Sequence, residues 1–543
     1  MKVQLMAQNF QARLSLVGVA VICLTSALVT FGAADNEKTR NRAERALRSG
    51  DFERAEQIYR ELLAKDDHDT DARLGLSRAL LKQRRLQDSF DHAARVIALD
   101  PLSARAHALL GSAILASGDF RLSIEEFRTA LSLNENEAMA VAGLAMIDYY
   151  ENRMFPCVMG LRRAASIDPD EPDYLFSLGQ AAARSERYKE AADAYERFLL
   201  IAPRTDADRR ARIRGLIDFL RYLGQQGSLY NLEANNGTSV SFETPDFRPV
   251  LKVRVNGSKQ YLRFVLDTGS GMSVLSEETA QKLGIKPVAH GGMARAVGGG
   301  GRFEIVYGYL RSLDIGEVRI TNVPVYIRHF FDEKNPVDGY LGIAAISRLT
   351  ATVDYGTNRL TLTRSDTQDS ATSAPGPAQP VSSEVPPASA GINVPIRTTA
   401  SGFLSGEVII NDLDKPLNFI IDTGATVTVL SEKTAAMEEV QRFIKQGTMR
   451  VFGAAGVAED VKIALIPRLA IGSYSREKID AAVLDLDPVN ETSGFLQSGI
   501  LGGNFLRHYR VIFYFDKGLV RFESLEAAPL PKPNPSPETL TRQ

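Results

Sequence analysis

At 543 residues the chain exceeds one ordinary domain, and 44% hydrophobic with 24% charged residues excludes wholesale disorder and collagen-like structure. A formal charge of −2, from 64 basic and 66 acidic residues, offers no support for nucleic-acid binding, which needs a local excess of Lys and Arg. Two cysteines, Cys23 and Cys157, exclude a disulfide framework and a Cys-based zinc site, and the six histidines show no metal-ligand spacing. A catalyst built from this chain must therefore use carboxylates, hydroxyls or lysines; no metal and no cofactor is expected.

From Leu14 to Ala34 no charged residue occurs, with Lys2 and Arg13 ahead of the run and small residues Gly32 and Ala34 before Asp35. That length just spans a bilayer, and the parts are those of a secretory signal. Residues 1–35 are expected to be a signal peptide or membrane anchor. The protein is then exported (periplasmic or secreted) or held by a single N-terminal membrane segment.

Residues 36–225 are rich in Ala, Leu, Arg and Glu with helical periodicity. Phe52, Leu86, Phe120, Met154 and Tyr188 recur every 34 residues, each three before a small residue: Ala55, Ser89, Ser123, Cys157 and Ala191. Small residues also recur at Ala43, Ser77, Gly111, Ala145 and Gly179, while Pro101, Pro169 and Pro203 close repeats. Such positions let paired helices approach closely while the large residues fill the space between pairs. This stretch resembles the tetratricopeptide repeat family, with about five repeats. The resemblance implies an all-α superhelix whose groove holds a protein partner or peptide. Residues Ala207–Gly224 are expected to cap it, and Cys157 to be core.

After Gly227 the pattern changes to alternating Val, Ile and Leu with Gly turns, which predicts strands. Two segments there repeat each other 155 residues apart, one around Asp267-Thr268-Gly269-Ser270 and the other around Asp422-Thr423-Gly424-Ala425. Matching pairs include Asn256 with Asn411, Phe264 with Phe419, Leu275 with Leu430 and Thr279 with Thr434. Asn256-Gly257 is a two-residue hairpin signal, with a weaker one at Asn411-Asp412. One chance Asp-Thr-Gly is expected in only about a tenth of such chains. Two in the same framing are not chance. Each copy later has an apolar pair before glycine, ending at Gly342 and Gly502, and Gly-rich stretches occur at Gly291–Gly301 and Gly453–Gly456.

These residues resemble the retroviral-type (retropepsin-like) aspartic protease family. The resemblance implies two all-β lobes, at 239–364 and 392–525, joined by a Pro/Ser/Ala-rich linker at 365–391 and followed by a disordered tail at 526–543. It further implies catalysis by Asp267 and Asp422, with Thr268 and Thr423 interlocked and the Gly-rich stretches acting as flaps over a peptide or protein substrate. Two carboxylates about 3 Å apart cannot both ionise, so they share one proton around a water. A flexible linker of this length reaches roughly 30 Å, enough for the lobes to pair within one chain.

Two readings compete. One is an aspartic endopeptidase with a repeat domain that recruits substrate or partner; the other is a non-catalytic scaffold of protease ancestry. Ala425, the insertion-like stretch Glu438–Gly447 and a reshaped final strand pair favour the scaffold, and both intact triplets favour the enzyme. Ser270 has no hydroxyl counterpart at Ala425. Its side chain is expected to stabilise a charged Asp267, leaving Asp422 as proton carrier.

Overall fold

The computed structural model describes residues 36–525 except 234–236, 300, 333, 365–390, 412 and 455. The apolar run 14–34, nearly all of the linker and the tail lie outside the described residues. Among those described, no helix is long and apolar enough to cross a membrane. The chain forms two compact units. One holds the described residues up to Ile147 with Pro156–Leu178 and Ala194–Arg210; the other holds Asp148–Phe155, Gly179–Asp193 and everything from Ala211 onward.

The repeat region is helical throughout. Helix 36–49 precedes Phe52–Lys65, and further pairs follow at Thr70–Lys82 and Leu86–Leu99, Ala104–Ser117 and Phe120–Leu133, Ala138–Tyr150 and Met154–Ile167, and Pro172–Arg184 and Tyr188–Ile201. Each large residue of the 34-residue lattice is the first residue of a second helix. The small residues behind it, Ala55, Ser89, Ser123, Cys157 and Ala191, are all fully buried. Close helix approach is the reason: Ser77 Oγ donates to the Ser89 carbonyl at 2.8 Å, joining two lattice positions. Aspartate and serine caps start several helices, with Asp51, Asp69, Ser103 and Asp119 each accepting a first-turn N–H. In the first unit, Arg78 and Lys82 of the second repeat grip the buried Glu171 at 2.6 and 2.8 Å. Burial pushes the Glu171 carboxyl upward, but Lys82 and Arg78 outweigh it and hold the group down at about 2.

In the second unit the two lobes have the same plan. The strand Leu262–Asp267 runs parallel to Gly339–Gly342, and Ser273–Ser276 lies antiparallel to that strand and parallel to Val318–Arg328. In the second lobe Leu417–Ile421 pairs with Gly499–Leu501, and Thr428–Ser431 with Gly499–Leu501 and Tyr474–Leu484, in the same senses. Alternation places Phe264 and Phe419, and Leu275 and Leu430, in the core at 0–1% exposure. Burying each such side chain stabilises the fold by about 1.5–3 kcal/mol. Thr279 and Thr434 sit at matching helix starts, where Ser276 and Ser431 accept their backbone N–H groups. The Asn256-Gly257 turn forms, with φ of 53° and 73° and a Ser258 N–H to Val255 carbonyl bond. It is not a two-residue hairpin, because ladder pairing between the flanking strands stops at Val253 and Leu262. Asn256 instead accepts N–H bonds from Arg311 and Ser312, which draws the turn toward another strand.

The lobes join through a six-stranded antiparallel sheet. Its order is Gly237–Glu243, Arg359–Arg364, Leu349–Asp354, Tyr509–Tyr514, Leu519–Ser524 and Ile392–Thr398. The final strand pair of the second lobe is therefore the counterpart of the first lobe's, not a reshaped one. Pairing of Ala351–Asp354 with Arg510–Phe513 makes one apolar core continuous across both lobes. Asp354, with no acidic counterpart, holds Arg510 at 2.8 Å across this seam, and Asp338 accepts from Thr279 Oγ1 and the Arg263 N–H. Both are structural carboxylates. Residues Glu438–Gly447 make a short helix, Glu438–Gln441, that leads into the long strand Ile444–Gly453.

Candidate active site

Each Asp-Thr-Gly triplet leaves the end of a central strand, and the sheet brings the two strand ends together. Thr268 Oγ1 donates to the Ile421 carbonyl at 2.8 Å and accepts the Thr423 N–H at 3.0 Å. Reciprocally, Thr423 Oγ1 donates to the Leu266 carbonyl at 2.6 Å and accepts the Thr268 N–H at 3.2 Å. Both threonines are fully buried, so these four bonds have no competing water.

The interlock places Asp267 against Asp422. A Cβ added to Gly269 would stand 2.3 Å from Asp422 Cγ, and one on Gly424 2.7 Å from Asp267 Oδ1. Only glycine lets each loop pass so close to the opposite carboxylate. Gly269 N–H donates to Asp267 Oδ1 at 3.0 Å, and Gly424 and Ala425 N–H groups donate to Asp422 Oδ1 at 2.7 and 3.2 Å. Gly342 and Gly502 support the loops, donating N–H bonds to Ser273 Oγ and Thr428 Oγ1.

The two carboxyls are not equivalent, and the asymmetry reverses the expectation from Ser270. Ser270 Oγ donates to the Met272 carbonyl at 2.7 Å and not to a carboxylate. Burial first, then the Asp422 charge and the hydrogen bond between the pair, push the Asp267 carboxyl well above the usual range. Burial also raises Asp422, but the Gly424 N–H, the bond from Asp267 and the Ala425 N–H all oppose the rise. Both carboxyls are thus raised, and the backbone donors favour charge on Asp422 over charge on Asp267. The Gly424 and Ala425 N–H groups act on a carboxylate because they point at Asp422 Oδ1, whereas the serine hydroxyl is spent on a carbonyl.

Two Gly-rich hairpins, Ala289–Arg295 with Arg302–Ile315 and Ile444–Gly453 with Gly456–Ile471, meet at their tips. Ala454 N–H donates to the Val297 carbonyl at 3.2 Å, and a Cβ on Gly298 would stand 2.7 Å from Gly453 Cα. Val297 belongs to the same apolar cluster as Ala425, Val427 and Leu484, so the first tip reaches onto the second lobe. Arg295 continues that reach with ion pairs to Asp485 and Glu491 at 3.3 and 3.4 Å. Beneath this tip a cleft of about 810 Å³ opens, lined by Gly298, Glu432, Ile444, Val461, Val483 and Leu484 among others. Within the same unit, the helix that follows the repeats packs on the first hairpin: Phe219 stacks on Tyr307 at 4.3 Å and Arg212 donates to the Met293 carbonyl at 2.8 Å.

Arg248, Arg295, Val297 and Arg328 carry no motif and are found only by the folding of the chain. Arg248 is 8% exposed, pairs with Asp332 at 2.8 Å and pulls the Asp267 carboxyl down against the larger upward effects. Among the described residues no cluster of His, Cys, Asp or Glu has the arrangement of a metal site.

Comparison with known proteins agrees with this division. Family models match as aspartyl protease over 251–345 and as gag-polyprotein aspartyl protease over 407–508, so Asp267 lies in the first and Asp422 in the second. Tetratricopeptide repeat models match 46–113, 104–137 and 160–208. Anaphase-promoting complex subunit 3 of Schizosaccharomyces pombe is 28% identical over 123 residues, 23% of this chain and 18% of that relative. A tetratricopeptide-repeat protein of Thermus thermophilus aligns with 34% of this chain and 98% of its own, at 18% identity and TM-score 0.30. An aspartic proteinase of Irpex lacteus aligns with 53% of this chain and 97% of its own, at 15% identity and TM-score 0.35. The chain joins tetratricopeptide repeats to two successive domains of the aspartyl-protease type.

Proposed function

We propose that the protein is an aspartic endopeptidase whose two lobes build one active site within a single chain. The observation that carries this reading is the reciprocal Thr268–Thr423 interlock, which forces two carboxylates into mutual contact. A scaffold that only binds proteins gains nothing from this pairing, since two buried acids destabilise each other. In the proposed reaction Asp422 takes a proton from a water placed between the carboxyls. Protonated Asp267 donates a hydrogen bond to the scissile carbonyl oxygen while the water oxygen bonds to the carbonyl carbon. Return of a proton to the leaving nitrogen breaks the C–N bond and resets the pair. The paired hairpins exclude water from the carboxyl pair. The repeats recruit a protein substrate or partner, and the apolar run at 14–34 directs export or tethers the protein to a membrane.

The test is cleavage of a mixed peptide pool by wild type and by the Asp267→Asn/Asp422→Asn double variant, at acidic and neutral pH. Cleavage only by wild type is expected; equal cleavage, or none by either, would move the reading to the scaffold. The titration of the pair adds a second expected result. With its pKa raised in the fold, Asp267 holds a proton that the unfolded chain has lost above about pH 4. The stability linked to that proton is complete below the unfolded value and is lost as pH rises through the raised folded value. Activity falls over the same rise, because the doubly ionised pair has no acid to polarise the carbonyl. Thermal unfolding of wild type should decline from about pH 4 upward more steeply than that of Asp267→Asn. Parallel curves would show that Asp267 is not the proton carrier.

A further inference from the structure

The two lobes present different chemistry at matching strand ends. Arg328 ends the strand Val318–Arg328, in register with Ser276; Leu484 ends Tyr474–Leu484, in register with the matching Ser431. The Arg328 guanidinium lies 3.9 Å from the centre of the Phe303 ring, on the first hairpin, and donates to the Ala454 carbonyl at the tip of the second. Among the described residues that carbonyl is the one hydrogen-bond acceptor it reaches. Among the described residues no other acceptor meets the remaining N–H groups of this half-buried guanidinium. Its charge also acts on the carboxyl pair: burial lowers the Arg328 pKa, and the Asp267 carboxyl is among the groups that oppose the fall. Leu484, by contrast, is 7% exposed and lines the cleft with Ile444, Val461 and Val483.

We infer that Arg328 is a specificity-determining residue that selects peptides with a carboxylate side chain on the first-lobe side of the scissile bond and an apolar side chain on the Leu484 side. A planar guanidinium already fixed by a ring and a carbonyl presents its free edge with little loss of side-chain entropy, which suits a bidentate carboxylate. Rejection of a lysine at the same place follows from its like charge with the half-buried guanidinium. The inference names the substrate class of the endopeptidase site proposed above and rests on that reading.

The experiment uses full-length wild type, Arg328→Leu and Arg328→Glu. Each is given an equimolar peptide set with Glu, Gln or Lys at each position flanking an apolar residue, made once with ordinary bonds and once with a non-cleavable reduced bond. In wild type, Glu peptides should exceed their Gln counterparts by about 10- to 100-fold in kcat/KM. Arg328→Leu should bring that ratio close to one, and Arg328→Glu should turn the preference toward Lys. Taking the Glu-to-Gln ratio within one variant cancels any general loss from a loosened hairpin. A ratio near one in wild type, or one unchanged by both substitutions, overturns the inference. Should wild type cleave nothing, binding of the reduced-bond set decides separately. Arg328-dependent preference for Glu then upholds anion recognition while the protease reading fails, and no preference overturns both.

Discussion

Asp267→Asn and Asp422→Asn are each expected to lower peptide cleavage by about a thousandfold, with folding retained. The two losses arise differently. Asp422→Asn removes the charged oxygen that takes the proton from water, whereas Asp267→Asn removes the acid that polarises the carbonyl. Neither amide can exchange a proton at the required step. Mixing the two variants in equal amounts is expected to restore nothing, since each chain already carries both triplets in one site. Activity recovered on mixing, measured against dilution to separate chain exchange from residual turnover, would mean that aspartates pair between chains. Ser270→Ala serves as contrast: its hydroxyl bonds the Met272 carbonyl, so the pH profile should not move.

The second large effect is expected at the threonines. Thr268→Val keeps the shape of the side chain but strips a donor from the Ile421 carbonyl and an acceptor from the Thr423 N–H. Both groups then lie buried and unpaired, at about 1–3 kcal/mol each. A loss of about 2–6 kcal/mol should appear in denaturant unfolding, and Thr423→Val should match it because its bonds to Leu266 and Thr268 mirror those of its partner. Cleavage should fall further than stability alone explains, as the two carboxyls lose their fixed relation. A loss within about 0.5 kcal/mol for either variant would show that the six-stranded sheet holds the lobes without the interlock.

The repeat lattice and the lobe duplication were legible in sequence because each is carried by side-chain size or identity at a fixed spacing. Ala55, Ser89, Ser123, Cys157 and Ala191 must be small wherever helices touch, and the fold buries every one. Asp267, Thr268 and Gly269, like Asp422, Thr423 and Gly424, sit in turns whose close approach admits few residue types. Their pairing could be expected from two copies in one chain. Arg328 could not, because nothing near it in sequence repeats or alternates unusually. Its place beside Phe303 and Ala454 depends on contacts 25 and 126 residues distant, respectively (328 − 303 and 454 − 328).

The protonation order shows the same limit from the opposite direction. A hydroxyl at Ser270 and none at Ala425 suggested a charged Asp267, since side chains are all that a sequence displays. The backbone favours the opposite order. Gly424 and Ala425 N–H groups converge on Asp422 while Asp267 receives one such donor from its own loop. Sequence alone determined the composition of this protein: a long, nearly neutral, cysteine-poor chain of helical repeats followed by two acid-bearing β-lobes. Tertiary structure decided which acid receives more backbone donors, which arginine meets the tip of the second hairpin and how the final strand pairs join. Those outcomes depend on the direction of backbone dipoles and on distances between remote segments, quantities that residue identities constrain only after the chain has folded.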